Sequence, residues 1–144
     1  MPLDVVAGID KENQVRIEIT INGLYKSNSY GAVVDTGYSG GLVLPLTMAV
    51  DLGLEKVGSS AVTLADGSVQ VLPAFLCKVS VGETIHDIST LVLGNEVLVG
   101  MELLQNYRLC IAPSMGVVTL SQDKQGVEYT QLINSLRKLT GRYQ

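Results

Sequence analysis

The chain has no tryptophan, one phenylalanine and one histidine among its 144 residues. Without large rings the core must be built mostly from Val, Leu and Ile. A single histidine excludes a His-rich metal site, and a Ser-His-Asp triad would have to use His86. That residue lies in Thr84-Ile85-His86-Asp87-Ile88, an alternating pattern that predicts a strand with His86 toward solvent in a structural role. The two cysteines, Cys77 and Cys110, could pair, but neither sits in a metal-binding spacing. Their apolar neighbours Leu76, Leu109 and Ile111 predict buried free thiols instead. No metal and no cofactor is expected.

Positive charge is also sparse. Ten Lys and Arg stand against fourteen Asp and Glu, for a net charge of −4 and a pI near 4.8. This argues against a nucleic-acid partner. Arg137, Lys138 and Arg142 read as a solvated helix end rather than a basic patch. The longest uncharged stretch, 38–50, is broken by Gly40, Gly41 and Pro45, so no membrane span is expected. The first residues carry neither a basic segment nor a long apolar one. A soluble, cytoplasmic protein is the expectation.

What the chain does have is glycine and short apolar runs. Fifteen glycines, 47% hydrophobic residues and 17% charged residues predict a turn-rich, mainly antiparallel all-β protein. Its length suits a single domain, 1–144. Residues 5–9 read as a short strand. Residues 15–21 alternate, with Val15, Ile17, Ile19 and Ile21 inward, and the two form a hairpin. A polar loop is expected at 26–29. The run 46–52 is helix-compatible and stopped by Gly53. Strands are expected at 57–65 and 69–81, joined by a tight Asp66-Gly67 turn, with an irregularity at Pro73. Further strands fall at 84–93, 97–99, 108–112 and 117–121. A helix of about two turns follows Gly100, within 101–107. Tyr129, Leu132, Ile133, Leu136 and Leu139 share one face of a terminal amphipathic helix at 127–139.

One stretch organises the rest: Tyr30-Gly31-Ala32-Val33-Val34-Asp35-Thr36-Gly37-Tyr38-Ser39-Gly40-Gly41. Ala32, Val33 and Val34 read as a buried strand that ends abruptly in a carboxylate. Gly37 permits a close approach that a side chain would forbid. On the tripeptide alone, a plain strand-ending turn is the favoured reading of Asp35-Thr36-Gly37.

Three features in order resemble the retropepsin-like aspartic proteases, in particular the small prokaryotic clan AA members. They are Val33-Val34-Asp35-Thr36-Gly37, a long hairpin tipped by Ala65-Asp66-Gly67-Ser68, and Leu98-Val99-Gly100 before a short helix. The likeness covers about residues 3–121, leaving 122–144 as an extra C-terminal tail. The resemblance implies an acid-protease barrel and peptide hydrolysis by two carboxylates that share a water. It makes Asp35 the catalytic residue, with Thr36 bracing the partner's loop and Gly37 allowing close approach. Asp66, Gly67 and Ser68 would be a flap over the peptide substrate. Leu98, Val99 and Gly100 would support the Asp35 loop. Since the chain has one Asp-Thr-Gly, the site would need a homodimer. Two features depart from the family pattern: Tyr38 where Ala or Ser is usual, and Glu102 where Asp is usual. A peptide-binding or dimerisation module of the same fold without activity is the alternative. A structural β-barrel with an incidental turn is a third reading.

Overall fold

Alternation builds the first sheet strands in this computed structural model, which describes residues 5–122. Strand β1 (Ala7–Ile9) pairs antiparallel with β2 (Val15–Asn22). Along β2, Ile17, Ile19 and Ile21 are buried and Val15 is half-buried. Each buried isoleucine contributes about 2 kcal/mol by leaving water. β2 turns at Gly23, whose amide donates to the Lys26 carbonyl at 2.9 Å, and pairs antiparallel with β3 (Ser27–Val34). The polar loop expected at 26–29 is therefore mostly strand. Its polar side chains suit an exposed stretch, where the Thr20 and Ser29 hydroxyls bond across the pair at 2.8 Å.

Strand β4 (Leu42–Leu44) is wholly buried. Helix α1 (Leu46–Leu52) follows Pro45, where φ −62° and ψ 145° bar the helix from starting earlier. It stops at Gly53, a left-handed residue at φ 73°. Strand β5 (Glu55–Thr63) and the long β6 (Val69–Val81) form an antiparallel hairpin, and β7 (Thr84–Val92) returns along β6. The irregularity expected at Pro73 sits on the partner strand instead, between Lys56 and Gly58. The two-residue β8 (Leu98–Val99) leads into α2 (Met101–Leu104), a single turn rather than two. Strands β9 (Tyr107–Ala112) and β10 (Val117–Gln122) make a separate hairpin joined by a 3-10 turn, Pro113–Met115.

The sheet runs β1-β2-β3-β8-β4-β7-β6-β5, and β2 also pairs with β6. That last pairing closes β2, β3, β8, β4, β7 and β6 into a barrel and removes their free edges. Only β3–β8 and β4–β7 are parallel. The interior holds the β2 isoleucines with Leu42, Leu44, Val79, Val81, Val99 and Leu103. β5 and the first part of β6 project from the closed ring as a hairpin. The expected terminal helix at 127–139 lies outside the described residues. Among the described residues, no helix is long and apolar enough to cross a membrane.

Cys77 is as expected, whereas Cys110 and His86 differ from expectation. Cys77 is buried, with its thiol 3.0 Å from the Thr90 hydroxyl, and burial pushes its pKa up. Cys110, on β9, is exposed. His86 is half-buried rather than solvent-facing: its Nε2 lies 2.6 Å from the Tyr107 hydroxyl, and burial lowers its pKa.

Candidate active site around Asp35

Asp35 sits where β3 leaves the barrel, and it is half-buried. The strand is held in place by its parallel neighbour β8: Val33 N–H donates to the Val97 carbonyl and Asp35 N–H to the Val99 carbonyl, each at 2.9 Å. Past the strand end the chain folds back on the carboxylate. The Gly37 amide donates to Asp35 Oδ1 at 3.0 Å, and the Tyr38 amide to the Asp35 carbonyl at 3.2 Å. A Cβ on Gly37 would stand 3.3 Å from that same Oδ1, so glycine keeps the carboxylate uncrowded. Oδ2 has no protein partner among the described residues. Thr36 is exposed at the apex of the turn.

Leu98, Val99 and Gly100 lie directly alongside. β8 runs between β3 and β4, parallel to one and antiparallel to the other. Gly100 N–H donates to the Gly41 carbonyl at 2.9 Å. The first amides of α2, which have no partner within the helix, are used on the loop: Met101 N–H reaches the Tyr38 carbonyl at 2.8 Å and Glu102 N–H the Gly40 carbonyl at 3.1 Å. A side chain at Gly100 would collide with the Gly40 and Tyr38 carbonyls and with the Tyr38 ring. The short helix thus clips the 35–41 loop by its backbone alone, whichever carboxylic residue stands at 102.

Asp66, Gly67 and Ser68 form the tip of the β5–β6 hairpin. The loop is closed by Gly67 N–H to the Leu64 carbonyl at 2.9 Å and Leu64 N–H to the Ser68 carbonyl at 2.8 Å, with Gly67 left-handed at φ 86°. Asp66 Oδ1 accepts from the Ser68 hydroxyl at 2.6 Å and the Ser68 amide at 2.9 Å, which hold its carboxyl below the usual range. The structure therefore brings Asp35, Thr36 and Gly37 together with Leu98, Val99 and Gly100. It keeps Asp66, Gly67 and Ser68 on a separate, exposed tip with no hydrogen bond to the Asp35 turn among the described residues.

In the sequence Tyr38 stands out only as a departure from the family pattern, and nothing there gives Gly40 a role in the site. The Tyr38 ring rests against Gly40 and Gly100: a Cβ at Gly40 would overlap its hydroxyl and Cζ, and one at Gly100 would stand 2.5 Å from its Cδ2. Half-burial, and secondarily the Glu102 charge, raise the Tyr38 pKa, so the hydroxyl stays protonated. It makes no hydrogen bond to Asp35; the Gly37 amide fills that role. With Val62 and Leu98, Tyr38 packs on a small buried cluster of Val43, Ala74 and Leu91, apart from the main core. The signal available in the sequence was the coincidence of one aromatic residue with two nearby glycines.

Residues 17–106 match the family described as "gag-polyprotein putative aspartyl protease". The fold is similar to that of a retropepsin-like aspartic protease from Rickettsia conorii, with a TM-score of 0.56 and 18% identity over 82% of this chain and 88% of that one. No curated protein matches the chain.

Proposed function

Because the chain belongs to the gag-polyprotein aspartyl protease family and has the retropepsin-like fold, we propose that it is an aspartic endopeptidase that works as a homodimer. A single domain spanning 1–144 would supply half of the site. The supporting observation is the Asp35 carboxylate, fixed by β8 and the Gly37 amide, with Oδ2 left unpartnered among the described residues. Two such carboxylates about 3 Å apart cannot both ionise, which is the known behaviour of aspartic-protease dyads. The ionised one takes a proton from water while the water oxygen attacks the scissile carbonyl. The protonated one hydrogen-bonds that carbonyl oxygen as negative charge develops there. The resulting tetrahedral species breaks its C–N bond as a proton reaches the leaving nitrogen.

The remaining roles follow from position. Thr36, exposed at the apex of the turn, braces the partner's matching loop across the two-fold axis. Gly37 gives room at the carboxylate, and Leu98, Val99 and Gly100 support the loop from behind. Asp66, Gly67 and Ser68 cover an extended peptide, which pairs by its main chain like an added strand.

Asp35→Asn keeps the shape of the site and removes its only proposed proton carrier. Cleavage is expected to vanish while the dimer persists, and wild type should show a bell-shaped pH profile because the active form is the singly protonated pair. Cleavage surviving in the dimeric variant would overturn the assignment. The inactive-module reading differs at one point: it expects dimer and peptide binding with no cleavage by wild type.

A further inference from the structure

We propose that Arg16 is a positioning residue for Asp35, acting through Glu96 and the short strand β8. This rests on the peptidase reading and adds to it a residue outside the site. The clamp on Asp35 depends on where β8 lies, because the Val97 and Val99 carbonyls accept from the Val33 and Asp35 amides. β8 is only two residues long, so its place depends on what holds its ends. The segment leading into it, residues 93–96, is exposed. The Leu93 amide ties the start of that segment to the Leu44 carbonyl at 2.9 Å. From there to Val97, the hydrogen bonds among the described residues are those between Glu96 and Arg16.

Arg16 is placed to hold that segment. It stands opposite Val33 in the β2–β3 register. A Cβ at Gly31 would lie 3.9 Å from the Arg16 Cδ, so the side chain passes over β3. Its Nε donates to Asp10 Oδ2 at 2.6 Å, one Nη to the Gly31 carbonyl at 2.9 Å, and the other Nη to Glu96 Oε2 at 3.2 Å. Asp10 is itself fixed, its Oδ1 accepting from the Glu12 and Gln14 amides at 2.9 Å each. Two arms of the planar guanidinium are thus anchored to the β1–β2 turn and to β3. The third fixes Glu96, the residue before Val97. A lysine ammonium, a point charge without the rigid fork, does not reproduce this set of directions.

Amide hydrogen exchange and steady-state cleavage, measured on the same variants, test the proposal. Glu96→Gln and Arg16→Gln should speed exchange of the Val33 and Asp35 amides by about threefold to tenfold, while Val79 in the barrel keeps the wild-type rate. In Glu96→Gln, kcat should fall by a similar factor with KM unchanged. Tm should move by less than about 3 °C, because the lost pair is exposed. Arg16→Lys should restore part of the loss seen in Arg16→Gln, and the double variant should exchange no faster than Arg16→Gln alone. Lys78→Gln, which breaks the exposed Lys78–Asp87 pair elsewhere on the barrel, should change neither readout. An Asp35 amide at the wild-type rate in both Glu96→Gln and Arg16→Gln, or one that speeds equally in Lys78→Gln, would overturn the proposal. Faster exchange at Asp35 with kcat unchanged would also overturn it, while leaving the peptidase reading intact. Cleavage of no peptide by wild type would overturn the peptidase reading, and the exchange rates would still decide whether Arg16 holds Asp35.

Discussion

The Asp35 turn and the hairpin tip use the same local device in different surroundings. In each, an aspartate Oδ1 accepts the backbone amide two residues on, at 3.0 Å from Gly37 and 2.9 Å from Ser68. In each a glycine completes the turn. Around Asp35, however, β8 and the start of α2 add five backbone hydrogen bonds from Val33, Asp35, Gly100, Met101 and Glu102. Around Asp66 the hydrogen bonds among the described residues are the hairpin's own closure, and residues 65–68 are all exposed. A short sequence is enough to make the turn. What fixes one of them rigidly is non-local clamping, which the other lacks.

Gly→Ala substitutions in the two regions sharpen this comparison. Gly100→Ala should be the more damaging. Its methyl meets the Gly40 and Tyr38 carbonyls, and forcing them apart should cost about 3 kcal/mol. Thermal denaturation should show a fall in Tm of roughly 6–12 °C. Displacement of the Asp35 loop should lower kcat about a hundredfold. A variant with unchanged Tm and kcat would show that the α2 clip does not hold the site.

Gly67→Ala should do less to stability and act on a different parameter. Nothing lies within 4 Å of its added Cβ, so only the left-handed backbone is strained, at about 1 kcal/mol. Because the tip can relax locally, Tm should move by no more than roughly 4 °C. Steady-state kinetics should show KM rising with little change in kcat. An effect as large as that of Gly100→Ala would erase the distinction between the two turns.

The smallest effect is electrostatic. Ser68 holds the folded Asp66 carboxyl below its ordinary pKa. The stabilisation of the tip is therefore present above the usual carboxylate range and lost as pH falls through the lowered value. The Ser68 amide resonance should follow that titration, and Asp66→Asn should abolish the response. A Ser68 amide that does not sense pH would mean the tip is not organised by Asp66.

The elements that could be read in the sequence are those fixed by short-range rules. Gly53 ends α1 because it alone takes φ 73° cheaply, and 69–81 is a strand at both ends because Gly67 and Gly82 bound it. Residues 27–29 look like loop in the sequence but are strand, because a polar strand on an exposed face carries no alternation of hydrophobicity. The barrel's closure by β2 and β6 pairs residues some sixty positions apart, as Thr20 with Ser80, and no local pattern encodes that. Cys110 shows the same limit: its neighbours are apolar, but its exposure depends on what covers β9. The Asp35 and Gly100 segments were each visible as motifs. Their hydrogen bonding through Tyr38, Gly40 and Gly41 was not, because backbone groups leave no mark in residue type.

The pairing of two Asp35 carboxylates is tested most directly by mixing chains. Wild type and Asp35→Asn are unfolded together, refolded at varied ratios, and assayed for peptide cleavage at constant total concentration. If each site needs Asp35 from both subunits, activity follows the square of the wild-type fraction, so an equal mixture retains about one quarter of full activity. Activity linear in that fraction, with about one half retained in the equal mixture, would mean that one chain suffices and would contradict the shared site.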